Sequence, residues 1–290
     1  MATLSFPARK FKYYDFYTSF IKSVFEVGGG DVVIDDTLQY IVPAAFYIKI
    51  NNKLAFVDLS DFEDGLNRIL TKTGWKVTTE WYKPEDLGVP VFKRTMRVGV
   101  DYPDNVFAFG PFYVSNNINA NDLYILTNTG YIYNSKATKI LHTNRVWGGA
   151  LHTRKLAYSK IQQDFDFDTR RLSIPAHYQR HSELAASLNI SGAHYHSQDI
   201  GAPESMFLGV PVISNDFDIH LPFSTQLNKN EHYIHVYDDY SNINECLQYI
   251  YDHPHTVEDI SFNAYDLMKN TCSPTALVAW YTEVVEEYYG

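Results

Sequence analysis

Three stretches of this chain combine side chains able to do chemistry with spacings that concentrate them. In the first, Gly192 to Asp216, a polar loop, a short helix, a tight glycine turn and a buried strand follow one another directly. Gly201 lets the backbone approach a ligand, Ala202 adds no bulk, and Pro203 suits the first turn of a helix, where its missing N–H costs nothing. A phosphate fits such a helix start, which carries unpaired N–H groups and a positive dipole end. Ser205 lies in the same turn, and Glu204 can accept hydrogen bonds from ribose or sugar hydroxyls. The competing reading makes Val210 to Ile213 one more core strand whose preceding turn binds nothing. In the second stretch, Val146 to Lys155, the pair Gly148-Gly149, the hydroxyl of Thr153 and the cations Arg154 and Lys155 lead into a helix. Arg154 can clamp a diphosphate with two parallel hydrogen bonds; the alternative is an ordinary βα turn with two solvated cations. In the third, Leu54 to Asp64, carboxylates stand where an apolar strand ends. Asp58 or Asp61 there can act as a general base toward a hydroxyl, although Asp61 to Asp64 can equally cap a helix from Leu66 to Leu70.

The histidine spacings His177/His181 and His194/His196 suggest a metal on first sight. No HExxH pattern or cysteine pair accompanies them, so no metal site is assigned. His194 and His196 matter instead because they stand beside the helix start of the first stretch, where one of them can touch a substrate; Asp199 lies between them and that helix.

These residues need a scaffold, and the sequence describes one. Apolar and aromatic side chains from Tyr14 to Phe25 recur at helical spacing before the stop Gly28-Gly29-Gly30. Asp31 to Asp36 reads as a buried strand, and Ala44 to Ile50 and Leu54 to Leu59 as strands flanking the turn Asn51-Asn52. Asn116 to Asp122 reads as a polar connection. A strand over Ile140 to Trp147, a helix from His152 to Gln162, a helix from Tyr178 to Ala186 and the strand Val210 to Ile213 then alternate as a parallel sheet requires. Ser273 and Pro274 open an amphipathic helix with Leu277, Tyr281, Val284 and Tyr288 on one face.

The 290 residues suggest two domains, divided here into 1–136 and 137–290. With 45% hydrophobic residues, 23 Tyr and 18 Phe, the chain is folded rather than disordered. A formal charge of −10 argues against a broad electrostatic grip on nucleic acid. Cys246 and Cys272 have no metal or disulfide spacing, and no eighteen apolar residues stand together, so a reducing, cytoplasmic setting without a transmembrane segment is expected.

Ala202 to Ile213 resembles the donor-site signature of GT-B glycosyltransferases, with an acidic residue and a helix before a small-residue turn and a Pro-Val-Ile strand. Leu221 to Ser224 resembles exostosin-like enzymes. His232 to Val236, Asn242 to Leu247 and Trp280 to Tyr289 look like the capsule-associated xylosyltransferase and protein O-glucosyltransferase family. The resemblance implies an α/β GT-B fold: an amino-terminal Rossmann-like acceptor domain, a carboxyl-terminal Rossmann-like donor domain, a cleft between them and a closing helix. It implies a UDP-type sugar, with xylose or glucose favoured, transferred to a hydroxyl of a glycan or glycoprotein without an obligatory metal or other cofactor. It makes Arg154 a diphosphate contact and an acid after an amino-terminal strand the base. The chain departs from the pattern where Asp199, Gly201 and Ala202 stand in place of a loop arginine, and His196 in place of an acid of the paired-glutamate motif. Inversion is the expected outcome. Two alternatives remain: a phage-type glucosyltransferase acting on DNA bases, and a non-catalytic protein that binds a nucleotide sugar.

Overall fold

The computed structural model describes residues 1–7, 15–38, 40–42, 45–59, 69–70, 77–78, 83–94, 96–111, 119–142, 151–162, 164–170, 172–190 and 201–290. In the first half, β1 (Thr3–Phe6), α1 (Asp15–Val27), β2 (Asp31–Ile34), β3 (Tyr40–Val42), β4 (Ala45–Ile50) and β5 (Lys53–Asp58) precede a small β6 (Ile69–Leu70) and β7 (Val77–Thr78) hairpin. After it come β8 (Val91–Lys93), β9 (Val106–Ala108) and α2 (Ala120–Asn128). The order across the first sheet is β2-β1-β4-β5-β8-β9, with β3 paired to β4. It is mixed: β5, β8 and β9 run parallel, while β4 is antiparallel to both β1 and β5. The reason is local. Asn51 and Asn52 both adopt positive φ, 51° and 65°, so the chain reverses in a two-residue turn whose twist matches the paired strands.

The second half alternates strictly: β10 (Lys139–Leu141), α3 (Leu151–Lys160), β11 (Phe167–Asp168), α4 (Ile174–Arg180), β12 (Leu184–Asn189), α5 (Gly201–Phe207), β13 (Val212–Ser214) and β14 (Ile234–His235). Its sheet is parallel throughout, in the order β11-β10-β12-β13-β14. Ala157 of α3 and Leu247 and Ile250 of α6 (Ile243–Asp252) pack with Ile140, Leu188 and Ile213 in one core. Tyr178 of α4 and Met206 and Phe207 of α5 belong to another. Helices therefore cover both faces, as a doubly wound sheet requires.

That second core is shared with the first sheet. It takes in Leu4, Phe46 and Val57, Phe20 and Phe25 of α1, Met268 of α7 (Pro254–Cys272), and Leu277, Tyr281 and Val285 of α8 (Pro274–Tyr289). Ser273 caps α8 by accepting a hydrogen bond from the Ala276 N–H at 3.3 Å. The Trp280 Nε1–H donates to the Ala108 carbonyl at 2.9 Å and the Tyr281 hydroxyl to that of Phe109 at 2.5 Å. Tyr281 packs against the rings of Phe25, Phe92 and Phe109. A Cβ on Gly28, where α1 ends, would lie 2.6 Å from the Pro274 carbonyl oxygen, so only glycine allows this approach to the start of α8.

The carboxyl edges of the two sheets meet. After β8, Val98 N–H donates to the Asp218 carbonyl at 3.2 Å, and after β13, His220 N–H donates to the Met96 carbonyl at 2.7 Å. The Arg97 guanidinium lies 3.5 Å from the Asp218 carboxylate across the same junction.

Four sequence expectations change. Tyr178 to Ala186 is not one helix: α4 stops at Arg180, and Leu184 to Asn189 is a strand buried at all six positions. Alanine is a helix former by propensity, yet burial on both faces of a sheet overrides it. Ile69–Leu70 pairs antiparallel with Val77–Thr78 instead of closing a helix from Leu66. Asp31 to Asp36 contributes an edge strand, with Val33 49% and Ile34 64% exposed, because β2 has a partner only in β1. Asn119, within the polar connection, is an N-cap whose side chain accepts from the Asp122 N–H and starts α2. Among the described residues no helix is long and apolar enough to cross a membrane.

Candidate functional site

Within the second sheet the strands lie 2-1-3-4-5 in chain order, so the chain reverses direction between β10 and β12. At such a switch point the loops leaving adjacent carboxyl ends turn to opposite faces and open a crevice. Residues 143–150 follow β10 and residues 191–200 follow β12. Gly148, Gly149, His196 and Asp199 fall in these two segments, outside the described residues, as does Asp61 after β5.

What borders the loops is described. Thr153 and Arg154 enter through α3, both buried, with Arg154 7% exposed. Its Nε–H donates to the Ile190 carbonyl at 3.2 Å, so the guanidinium reaches from the helix after β10 to the end of β12. His142, at the end of β10, is set edge-on to Tyr158 at 4.4 Å, and among the described residues its buried Nε2 has no hydrogen-bond partner. Burial, and then the positive charge of Arg154, push His142 down to about 4, so it is a neutral imidazole at pH 7. The polar ends of β12 and β13 continue the edge: Asn189 donates to the Ser214 hydroxyl at 3.1 Å, and Asn215 to the Tyr237 carbonyl at 3.3 Å.

Gly201, Ala202, Glu204 and Ser205 form the first turns of α5. The Ser205 hydroxyl is turned back on the helix, donating to the Gly201 carbonyl at 2.9 Å. Glu204 is 4% exposed, and its Oε2 lies 3.0 Å from His177 Nε2. His177 Nδ1 in turn lies 2.6 Å from Arg180 Nη2. Arg180 also donates to the Arg170 carbonyl at 2.6 Å and sits 3.5 Å from Asp168. Asp168 ends β11, and its hydrogen bonds from the Arg170 guanidinium, at 2.6–3.1 Å, hold its carboxyl at about 2. A continuous chain of polar contacts thus runs from the end of β11 through α4 to α5. His181 closes beneath it, its Nδ1–H donating to the His177 carbonyl at 2.7 Å; burial pushes this imidazole down to about 3.

Across the junction, Asp58 stands at the carboxyl end of β5, where the sequence places a base. It is paired in register with Lys93 at the end of β8, the two side chains 3.0 Å apart and each 2% exposed. Both groups of this pair are shielded from water.

The sequence pointed to Arg154, Thr153 and Glu204, and these border one edge of the second sheet. It weighed His177 only for its spacing from His181, and it missed His142, Asp168, Arg180, Asn189 and Asn215. Position at the end of an apolar strand was an available signal for His142, Asp168 and Asn189. Among the described residues no cluster of histidine, cysteine and carboxylate side chains is arranged to hold a metal ion.

No family model matches this sequence, and no curated protein does. Among solved structures, one similar chain is an S. aureus TarM mutant, described as in complex with fondaparinux, alpha-GlcNAc-glycerol and UDP. The similarity has a TM-score of 0.41 at 12% identity and covers 76% of this chain. It covers 49% of the TarM chain, so this sequence spans about half the length of that protein. The architecture described above rests on the strand order and connections of this chain itself.

Proposed function

We propose that this chain is a GT-B glycosyltransferase that moves a sugar, xylose or glucose, from a UDP-type donor to a hydroxyl of a glycan. Residues 1–136 form its acceptor side and 137–290 its donor side. The observation that carries the reading is a buried guanidinium at a topological switch point: Arg154 spans from α3 to the end of β12, beside the glycine-bearing loop 143–150. A diphosphate is the ligand that suits a fixed cation in a crevice of this kind. Gly148 and Gly149 give it backbone N–H groups, and Gly201 and Ala202 leave space at the other loop. Glu204 takes the ribose hydroxyls, while His196 and Asp199 face the sugar. Preorganised donors favour the departing diphosphate more than the bound donor, which is how fixed dipoles lower a barrier. Asp58 or Asp61 removes the acceptor proton, and the displacement inverts the anomeric carbon.

One observation favours a second reading, a nucleotide-sugar-binding protein without turnover. Asp58 is buried against Lys93 instead of standing open to an acceptor. A panel of UDP-, GDP- and TDP-sugars separates the two, with thermal shift reporting binding and nucleotide diphosphate release reporting transfer or hydrolysis. Binding with release that Arg154→Ala abolishes supports the transferase. Binding without release, unaltered by Asp58→Asn and Asp61→Asn, supports the second reading. Absence of any thermal shift would sink both.

A further inference from the structure

Glu204 does not choose its own orientation. Every nitrogen of an arginine side chain donates and none accepts, so the 2.6 Å contact between Arg180 Nη2 and His177 Nδ1 requires a lone pair on Nδ1. The His177 proton therefore resides on Nε2, and it is this N–H that donates to Glu204 Oε2 at 3.0 Å. The Arg180 end is anchored in turn, by the Arg170 carbonyl and the Asp168 carboxylate, at the carboxyl end of β11. A carboxylate has about four lone-pair sites, and His177 fills one of them. Among the described residues Glu204 Oε1 accepts no hydrogen bond.

Resting on the donor-site reading above, we infer that His177, fixed as its Nε2–H tautomer by Arg180, is a positioning residue: it sets the Glu204 carboxylate so that its remaining acceptor sites meet the two ribose hydroxyls of a nucleotide. Selectivity for a ribose over a sugar without hydroxyls then depends on α4, an element that contributes no nucleotide contact of its own. The relay links Asp168 at the end of β11 to Glu204 of the donor site through two side chains of α4, Arg180 and His177.

The test compares binding of UDP with that of 2′,3′-dideoxy-UDP by calorimetry. The wild-type protein should prefer UDP by about tenfold or more, the scale of hydrogen bonds to a charged group. His177→Ala should reduce the preference to near unity by weakening UDP and leaving the dideoxy analogue unchanged. His177→Gln should restore it, since its amide can donate to Glu204 and accept from Arg180. Loss of preference in Glu204→Ala but not in His177→Ala overturns the inference while leaving the donor site in place. So does a wild-type protein that binds both nucleotides equally. Failure of the wild-type protein to bind UDP overturns the donor-site reading itself, and the inference with it. If His177→Ala does not fold, the wild-type protein still decides: nitrogen NMR of the imidazole should report a proton on Nε2, and a proton on Nδ1 would falsify the relay.

Discussion

The carboxyl edges of the two sheets handle their charge in opposite ways. At the end of the first sheet, Asp58 and Lys93 neutralise each other directly, side by side on neighbouring parallel strands, with little exposed surface. At the end of the second sheet, charge is drawn out into a chain from Asp168 through Arg180 and His177 to Glu204, and the Nε of Arg154 is anchored on the Ile190 carbonyl. A closed pair has its partners already and serves stability. An extended relay leaves acceptor sites at one end, which suits it to hold a ligand. Opposite charges thus acquire different uses from how they are connected.

The sharpest way to break this contrast is to open the closed pair. Lys93→Met, which takes the ammonium away from the buried Asp58 carboxylate, should destabilise the protein by about 3–5 kcal/mol, read from urea unfolding. Adding Asp58→Leu should recover most of that loss. Failure of the double variant to recover would mean that Asp58 stabilises the fold through contacts beyond its pairing with Lys93.

Removing Arg154 attacks the other edge. Arg154→Ala should weaken UDP by about 10- to 100-fold, the equivalent of one charge-assisted contact of roughly 1.5–3 kcal/mol. Asp58→Asn should leave UDP affinity unchanged in the same titration, since Asp58 belongs to the opposite sheet. A smaller effect on stability is expected at Gly209, just before β13. Its φ is +71°, and a Cβ there would fall 2.3 Å from the Tyr131 ring, so Gly209→Ala should cost about 1–3 kcal/mol in the same unfolding assay.

The mildest test is pH. His142 and His181, both in the second half, have values depressed from 6.5 to about 4 and about 3. The unfolded chain therefore binds more protons than the folded one below pH 6.5. Stability from these groups is complete above about 6.5 and is lost as pH falls toward 4 and then 3. Asp168, held near 2, extends the loss below 3.8. Hydrogen exchange at pH 5 should accordingly show β10 and β12 losing protection before β4 and β5; the reverse order would remove the acid sensitivity from the second sheet.

The sequence made some of this plain. The Asn51-Asn52 reversal and the glycine turn at Gly209 are short-range arrangements that rest on positive φ, and the Ser273 cap is short-range too, a hydroxyl meeting an N–H three residues on; the stop at Gly28 was legible as a glycine run, although its need for glycine comes from the distant Pro274. Arg154 and Glu204 could be singled out because they adjoin such punctuation. Lys93 could not be matched to Asp58, nor His177 to Glu204, because 35 and 27 residues separate the partners and only strand order brings them together. The start of the strand Leu184–Asn189, as far as Ala186, reads as the end of a helix for a related reason: its residues show no period-two pattern when both faces of the sheet are covered.

The packing of α8 has a consequence for how this chain comes into being. Trp280, Tyr281 and Tyr289 supply hydrogen bonds to the carbonyls of Ala108, Phe109 and Leu54, and Tyr281 fills the space among Phe25, Phe92 and Phe109. Synthesis runs at about 5–20 residues per second. The first sheet, made earliest, must therefore wait on the order of ten seconds or more for the helix that completes it. Until residues 274–289 leave the ribosome, the nascent chain carries an open aromatic face, while the parallel sheet in the second half already has α3 to α6 to cover it.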